Sequence, residues 1–214
     1  MDQHTDIGRI IQGPACVAEG AAYLAGIEPR FAAALGQTGP LPLRRRADGF
    51  PALLHAIVGQ QVSVASAEAV WARLKAERLT GPRNVARASD DALKACGLSR
   101  QKVRYARALA EARIDYKALR SVPDEEVIAT LVAVPGIGRW TAEIYAMFSL
   151  GRADAFAAGD LAMQEAARVL FDMAERPADK TLRALAEPWA PWRAVAARLL
   201  WSYYRVIKDR EGIR

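Results

Sequence analysis

Apolar residues recur at helical spacing through most of the chain, and no segment alternates convincingly between apolar and polar positions at period two. Five apolar residues that follow the potential cap Ser63 share one helix face: Val64, Ala67, Val70, Trp71 and Leu74. The sequence therefore predicts an all-α protein. The predicted helices cover, approximately, residues 17–28, 29–35, 51–58, 63–78, 84–87, 90–96, 100–112, 124–132, 139–149, 160–171, 179–185 and 191–208.

The length of the chain, 214 residues, suits one domain or two lobes that share a core. We expect a single domain over residues 1–214. Its first lobe is expected to comprise residues 1–88 together with the C-terminal helices, 179–214, and its second lobe residues 89–178, with a helical hairpin at 131–142. The first fifteen residues show no periodicity and are expected to form an arm or a loosely packed segment.

Composition changes this picture only modestly. The formal net charge of +6 suits a polyanionic partner, although basicity alone is weak evidence. Cys16 and Cys96 are isolated, which excludes the paired cysteine spacing of zinc and iron–sulfur sites and favours a reducing cytoplasm. No apolar run approaches the roughly 18 residues of a membrane span, so neither secretion nor membrane insertion is indicated.

A glycine-containing turn, Pro135-Gly136-Ile137-Gly138, separates two predicted helices and is followed by Arg139. Glycine lets a ligand approach the backbone closely, and the free N–H groups that open a helix suit an anion. The pattern predicts phosphate binding by Gly136, Ile137, Gly138, Arg139 and Thr141, although similar turns also join helices that bind nothing. Contacts to phosphate do not distinguish one base from another, so another residue must act on the base. Asp160, 22 residues beyond Gly138, is the acidic residue that could act on a base.

A weaker copy of this outline spans residues 93–102, where Gly97 precedes a short turn and a cationic helix start. An ordinary helical turn with a glycine C-cap is the favoured interpretation. A degenerate second phosphate site is the alternative.

The longer pattern identifies a family resemblance. The segment 134–142, followed by Gly159-Asp160, resembles the hairpin and acidic signature of the helix-hairpin-helix (HhH-GPD) DNA glycosylases. The segments 56–65 and 191–193, with Trp201, narrow the resemblance to the 3-methyladenine DNA glycosylase II branch. It implies a two-lobed helical fold with a DNA-binding cleft between the lobes. The larger relatives carry an N-terminal β-rich domain for which this sequence offers no counterpart.

The resemblance assigns catalysis to Asp160. The matching aspartate would lie at the mouth of a base pocket, stabilise an oxocarbenium-like transition state and orient water. A helix cap is the alternative interpretation for an aspartate that precedes a helix, and both roles can hold at once. Glu143, Asp154 and Glu165 are other carboxylates that could supply a second acid, but each is expected on a solvated helix or loop surface.

The resemblance also implies a base pocket formed by Trp140, Trp201 and Ile144. Aromatic faces attract cationic alkylated purines. Family members that also cleave the strand have a lysine where this chain has Trp140, so we expect hydrolysis without an AP-lyase step. Without the resemblance, Trp140 would be interpreted as a core residue.

Gln61, and with it Gln60, is placed by resemblance as the wedge that fills the gap left by a flipped base. The alternative is that the side-chain amide satisfies backbone groups of the turn. For Gln60 this alternative and the wedge are about equally favoured, whereas for Gln61 the wedge is favoured. The family's hairpin also holds a monovalent cation, sodium or potassium, through backbone carbonyls that match Val132, Val134 and Ile137 here. No cofactor is expected to be required.

The resulting hypothesis is a monofunctional DNA N-glycosylase of base excision repair that flips alkylated purines, hydrolyses their glycosidic bond and leaves an abasic site. A non-catalytic helix-hairpin-helix protein that recognises DNA damage is the alternative. The expected partner is double-stranded DNA with alkylated bases, with no membrane and no obligate protein partner. We expect a monomer, by default, in the bacterial cytoplasm or nucleoid.

Overall fold

The computed structural model describes residues 7–210, which form α-helices joined by short turns and no β-strand. The all-α prediction is confirmed. The helices described are α1 (Pro14–Ile27), α2 (Pro29–Thr38), α3 (Phe50–Gly59), α4 (Val64–Ala76), α5 (Pro82–Arg87), α6 (Asp90–Ala95), α7 (Arg100–Glu111), α8 (Asp124–Val132), α9 (Arg139–Tyr145), α10 (Leu161–Leu170), α11 (Asp179–Leu185) and α12 (Arg193–Arg210).

Side-chain caps fix where several of these helices begin. The hydroxyls of Ser63, Ser89 and Ser99 each accept a hydrogen bond from the backbone N–H three residues later, at the starts of α4, α6 and α7. Each such cap contributes about 1 kcal/mol, because it satisfies an N–H group that has no partner within the helix. The predicted start of α4 after Ser63 is therefore correct.

The helix predicted over 139–149 has a more complex form. It is α-helical only as far as Tyr145, and Ala146–Leu150 continues it as a π-helical turn. The wider turn leaves the carbonyl of Ala146 to accept a hydrogen bond from the backbone N–H of Arg152, at 3.0 Å. Single π-turns of this kind are uncommon and often occur near functional sites.

The first compact unit contains the described residues 46–145. Helix α3 lies at its centre and packs against α4, α7 and α9, while α5 and α6 pack against α7 and α8 packs against α9. The apolar face of α3 is buried through Leu53, Leu54, Ile57 and Val58. Burial of side chains of this size, at about 1.5–3 kcal/mol each, holds the unit together.

The second compact unit contains residues 7–45 and 146–210. Its centre is α12, which packs against α1, α2 and α10. A cluster of aromatic rings, formed by Phe31, Phe171 and Trp189 with centroids 5.0–5.7 Å apart, closes one end of this core. Edge-to-face and stacked ring pairs of this kind add to the stability that apolar burial provides.

These units differ from the lobes expected from the sequence, which placed residues 47–88 with the C-terminal helices. Residues 47–88 instead join residues 89–145, because the apolar face of α3 packs on α4, α7 and α9. Residues 146–178 join the C-terminal helices, because α10 packs on α12. The single domain over residues 1–214 stays a prediction.

The N-terminal segment is more tightly packed than expected. Residues 1–6 lie outside the described part of the chain, but Ile11 is fully buried and its N–H donates to the carbonyl of Gly151 at 2.7 Å. The carbonyl of Arg9 accepts a hydrogen bond from the N–H of Ala153 at 2.9 Å. The expectation of a loose arm is therefore wrong for residues 7–13, because backbone hydrogen bonds fix them to the second unit.

Candidate functional site

The predicted hairpin is formed by α8, α9 and the turn between them, within the first unit. Gly136 has a φ of +94°, and a Cβ there would collide with the ring of Tyr105. Gly138 does not adopt a positive φ, and nothing in the described protein lies within 4 Å of where its Cβ would be. Gly136 is therefore required by the fold, whereas Gly138 leaves an open backbone that a ligand can approach.

Ile137 and Thr141 contribute to the hairpin differently from Gly138. Ile137 is buried, so its side chain anchors the turn to the core of the unit. Thr141 is also largely buried, at 9% exposed, and its backbone N–H lies in the first turn of α9. Its predicted phosphate contact stays a prediction, for which this N–H is the candidate donor.

Arg139 begins α9, as predicted, but it already contacts two carboxylates. Its Nε donates to Glu143 Oε1 at 2.9 Å, and its Nη2 lies 3.3 Å from Glu125 Oε1. Glu143 is 1% exposed, although the sequence suggested a solvated helix surface. A phosphate that binds Arg139 must therefore compete with Glu125, which is itself well exposed.

The two candidate wedge residues differ in their hydrogen bonding. The side-chain amide of Gln60 donates to the carbonyl of Gly136 at 2.8 Å, so it connects the end of α3 to the hairpin. Gln61 is exposed and has a φ of +56°, in the left-handed region that side-chain-bearing residues seldom adopt. For Gln60 the structure favours the turn-satisfying interpretation, while Gln61 remains available as a wedge.

An open groove of about 400 Å³ joins these elements within the first unit. Its lining comprises Gln60, Gln61, Ser99, Gln101, Lys102, Tyr105 and residues 136–138. The groove brings the predicted hairpin and wedge turn together with the weaker motif at 93–102.

Four residues of the groove lining were not among the predicted site residues, namely Ser99, Gln101, Lys102 and Tyr105. Lys102 Nζ donates to the carbonyl of Val58 at 2.7 Å, which supports the end of α3, and burial lowers the pKa of this amine. The hydroxyl of Tyr105 accepts a hydrogen bond from Gln101 at 2.6 Å. The outline at 93–102 gave a signal for Lys102, but no spacing in the sequence pointed to Tyr105.

Trp140 and Ile144 occupy successive turns of α9. Trp140 is 47% exposed, so it is not the core residue that its residue type alone would suggest. Ile144 is half-buried, and lies four residues further on the same helix face. An exposed indole is available for stacking on a base, as the predicted role requires.

Asp160 and Trp201 are brought together within the second unit, although 41 positions separate them. Asp160 Oδ1 accepts hydrogen bonds from the N–H groups of Ala162 and Met163, at 3.0 and 3.1 Å, and so caps α10. The same oxygen accepts a hydrogen bond from the indole Nε1 of Trp201 at 3.0 Å. The cap interpretation of Asp160 is therefore confirmed, and the contact with Trp201 further fixes its carboxylate, while the catalytic role stays a prediction.

The ring of Trp201 has further neighbours. Phe148, in the π-helical turn, lies 5.6 Å from it between ring centroids, and the guanidinium of Arg44 lies 5.8 Å from its centroid. Arg198 is fully buried, with its guanidinium 4.8 Å from the ring of Phe148. Burial, with the nearby charges of Arg44 and Arg45, lowers the pKa of Arg198 to about 10, so it stays charged at neutral pH.

Other acidic residues considered as possible acids are engaged in ion pairs. Asp154 receives two hydrogen bonds from the guanidinium of Arg193, at 2.8 and 2.6 Å, and Glu165 receives two from Arg168. Trp192 is 3% exposed, and a Cβ on Gly20 would lie 2.7 Å from its ring, so Trp192 belongs to the core. Within residues 7–210, no cluster of His, Cys, Asp or Glu could hold a metal ion, and no helix could cross a membrane.

The chain matches a known protein family and several known proteins. The model of the HhH-GPD superfamily of base excision DNA repair proteins matches residues 54–191. The chain belongs to this family. The family prediction and the activity predicted with it, a DNA glycosylase of base excision repair, are confirmed. Glycosylases of this family generally need no catalytic cofactor.

Three similar proteins illustrate the relationship. DNA-3-methyladenine glycosylase 1 of Schizosaccharomyces pombe is 28% identical over 204 residues, which cover 90% of each chain. The crystal structure of a DNA-3-methyladenine glycosidase from Bacillus halodurans has a TM-score of 0.80 and 30% identity, with 94% of each chain covered. The S. pombe 3-methyladenine DNA glycosylase Mag1, in complex with abasic DNA, has a TM-score of 0.75 and 27% identity, and covers 86% of this chain and 95% of its own.

Proposed function

We propose that this glycosylase removes alkylated purines of the 3-methyladenine type from double-stranded DNA by hydrolysis and leaves an abasic site. The observation that carries the proposal is the hydrogen bond from Trp201 Nε1 to Asp160 Oδ1, at 3.0 Å. It joins an aromatic ring, which can stack on a flipped base, to a carboxylate that can act on the attached sugar.

The carboxylate of Asp160 would act electrostatically. As the glycosidic bond breaks, positive charge develops on the sugar, and an anion held in place beforehand stabilises that charge without reorganising. The two backbone N–H groups of α10 and the indole of Trp201 hold this carboxylate in position. The same carboxylate can orient the attacking water, and a purine that already carries a positive charge can leave without a second acid.

The reaction is proposed to stop at hydrolysis. Strand cleavage by a covalent route needs an amine that forms a Schiff base with the sugar, and position 140 carries an indole instead. Lys102, the amine that lines the groove of the first unit, donates its hydrogen bond to the carbonyl of Val58. Both observations support a monofunctional enzyme.

DNA would be held by the hairpin of the first unit. The open backbone at Gly138 gives a phosphate room to approach. Gln61, whose exposure supports a role as the wedge, would enter the space that a flipped nucleotide leaves. Gln60 would then act indirectly, because it fixes the wedge turn to the carbonyl of Gly136.

A monovalent cation at this hairpin belongs to the same proposal. Val132 ends α8, where carbonyls lack N–H partners within the helix and carry the negative end of its dipole. Neutral carbonyl oxygens suit sodium or potassium. The carbonyl of Val134 also accepts a hydrogen bond from the N–H of Ile137 at 3.0 Å. The carbonyls of Val132, Val134 and Ile137 would hold the ion, whose charge would favour a phosphate nearby.

Release of free bases from methylated DNA tests the proposal. Wild type and Asp160→Asn are incubated with the same methylated duplex. The control variant is Asp172→Asn, which changes a carboxylate that lies beyond the other end of α10. Asparagine still caps a helix well, so the fold should persist. We expect release by the wild type and the control, and a loss of at least about 100-fold in Asp160→Asn, the scale at which fixed electrostatic groups act.

The alternative function predicts a different result. A protein that only recognises damage would bind the duplex tightly and release no base with either enzyme form. Equal release by the wild type and Asp160→Asn would leave the glycosylase activity and remove Asp160 from its role.

We further propose that the enzyme works as a monomer in the bacterial cytoplasm, without an obligate protein partner. The location follows from the proposed substrate, since the chromosomal DNA of a bacterium lies in its cytoplasm. Light scattering with size-exclusion chromatography tests the monomer directly, and a dimer at micromolar concentration would contradict it.

A further inference from the structure

A positive charge covers part of the aromatic ring assigned to base stacking. The guanidinium of Arg44 lies 5.8 Å from the centroid of the Trp201 ring. Arg44 also has a φ of +52°, a backbone conformation that a side-chain-bearing residue adopts only when its surroundings impose it. Both residues belong to the second unit.

The segment around Arg44 is held on both sides. The carbonyl of Leu43 accepts hydrogen bonds from Nε and Nη2 of Arg198, at 3.2 and 3.0 Å, and Arg198 is fully buried. On the other side, the guanidinium of Arg45 packs so closely on Gly151 that a Cβ at that glycine would collide with it. A buried anchor before Arg44 and a close contact after it account for its unusual backbone and place its side chain over Trp201.

We propose that Arg44 is a specificity-determining residue that lowers the preference of the pocket for cationic bases relative to neutral ones. The inference rests on the proposed function, since it concerns the base that Asp160 and Trp201 receive. The attraction between an aromatic face and a cation is already used by the guanidinium. A base with its own positive charge, such as 7-methylguanine, must displace Arg44 or share the ring with a like charge.

A neutral purine meets a different environment. The planar guanidinium can stack beside it without repulsion between like charges. Hypoxanthine and 7-methylguanine both carry an exocyclic oxygen to which the guanidinium could donate, so the charge of the base is what distinguishes them here. The charge of arginine is permanent at any pH at which DNA is intact, whereas a flipped 7-methylguanine loses its N1 proton near neutral pH. The comparison therefore belongs in slightly acidic buffer, where this base carries a net positive charge. An indole alone would favour cationic purines over neutral ones. With Arg44 over the ring, the pocket is expected to accept neutral damaged purines as well.

The experiment compares two bases in one DNA context. Identical duplexes carry a single 7-methylguanine or a single hypoxanthine, and base release is measured under single-turnover conditions with enzyme in excess. The enzymes are wild type, Arg44→Gln, Arg44→Lys and the matched control Arg30→Gln, which removes a guanidinium that lies over a different ring, that of Phe171, at 5.3 Å.

We expect Arg44→Gln to raise the 7-methylguanine to hypoxanthine rate ratio about tenfold, the effect of removing one nearby like charge. Arg44→Lys should keep the ratio near that of the wild type, as should Arg30→Gln. A merely structural role for Arg44 would lower both rates together and leave the ratio unchanged. An unchanged ratio in Arg44→Gln, with both bases still released, would overturn the inference.

Two further outcomes remain distinguishable. If the wild type releases neither base nor any other base from methylated DNA, the proposed function fails before Arg44 is tested. If Arg44→Gln does not fold, Arg44→Gly replaces it, because glycine removes the charge and adopts the positive φ of this position without strain. An unchanged ratio in Arg44→Gly, with both bases still released, would overturn the inference.

Discussion

The side-chain amide of Gln60 donates a hydrogen bond to the backbone carbonyl of Gly136 across 2.8 Å, although 76 positions separate the two residues. This contact joins the turn after α3 to the hairpin between α8 and α9. The adjacent residue, Gln61, is the exposed candidate for entering DNA. Gln60 is therefore expected to act as a positioning residue, because it ties the proposed wedge to the turn proposed to bind phosphate.

Removal of each glutamine should have distinct effects. Gln60→Ala loses a hydrogen bond to a backbone group and should lower the free energy of unfolding by about 1 kcal/mol. Gln61→Ala removes an exposed side chain and should leave stability within about 0.5 kcal/mol of the wild type while slowing base release. Urea unfolding and single-turnover release measure both. Equal stability losses would contradict the assignment of Gln60 as the tether.

The two glycines of the hairpin should separate folding from DNA binding. Gly136→Ala places a Cβ against the ring of Tyr105 at a positive φ, and should destabilise the protein by about 1–3 kcal/mol. Gly138→Ala meets open space and should leave the melting temperature unchanged. Its methyl group would nevertheless obstruct a phosphate, so DNA affinity should fall. Undiminished affinity of Gly138→Ala for duplex DNA would exclude close phosphate approach at this position.

The helices and the hairpin could be predicted from the sequence because their determinants are local. Ser63 caps α4, and the apolar positions that follow it have helical spacing. The turn at Gly136 and the helix after it likewise depend on neighbouring residues.

The remaining features depend on contacts between distant segments. Glu143 was expected on a solvated surface, since an isolated carboxylate is seldom buried, yet it packs inside with Arg139 as its partner. The position of Tyr105 beneath Gly136, and of Arg44 over Trp201, follows from tertiary packing that leaves no periodic signal. The unit boundaries were missed for the same reason, because the choice of partner for the apolar face of α3 is not encoded in its spacing.

The ion pair between Arg139 and Glu125 should restrain DNA binding. The Nη2 of Arg139 lies 3.3 Å from Glu125 Oε1, and a phosphate must compete with that carboxylate. Glu125→Gln should therefore raise the affinity for duplex DNA about two- to fivefold, the scale of one exposed ion pair. Glu126→Gln, a change at the next residue, serves as control. A gain common to both variants would indicate only the change in net charge.

Arg139→Ala should weaken DNA binding to a similar extent for all sequences and reduce the salt dependence of affinity, as expected for a phosphate contact. It also removes an ion pair from the buried Glu143, so stability should fall too. Fluorescence anisotropy with several duplexes over a range of salt concentrations measures this. A loss confined to particular sequences would contradict the phosphate assignment.

Stability should decline in alkaline solution. Burial raises the pKa of Tyr145 to about 12, above its ordinary value of 10.0, and also raises the pKa of Tyr116. The unfolded chain releases these protons at lower pH than the folded protein, so their contribution is fully present below pH 10 and is lost as the pH rises through about 12. Urea unfolding between pH 9 and about 11 measures the decline, which Tyr145→Phe should reduce. A flat profile in the wild type would contradict it.

Trp201 should contribute to catalysis through Asp160 as well as through stacking. Trp201→Phe keeps an aromatic ring but removes the indole N–H that donates to Asp160 Oδ1 at 3.0 Å. The rate of base release should fall more than the affinity for damaged DNA, because the carboxylate loses one of the donors that fix it. If the effect passes through Asp160, adding Asp160→Asn to Trp201→Phe should cost less than the sum of the two single changes, since contacting groups are not additive. Fully additive losses would show that Trp201 acts on the base alone.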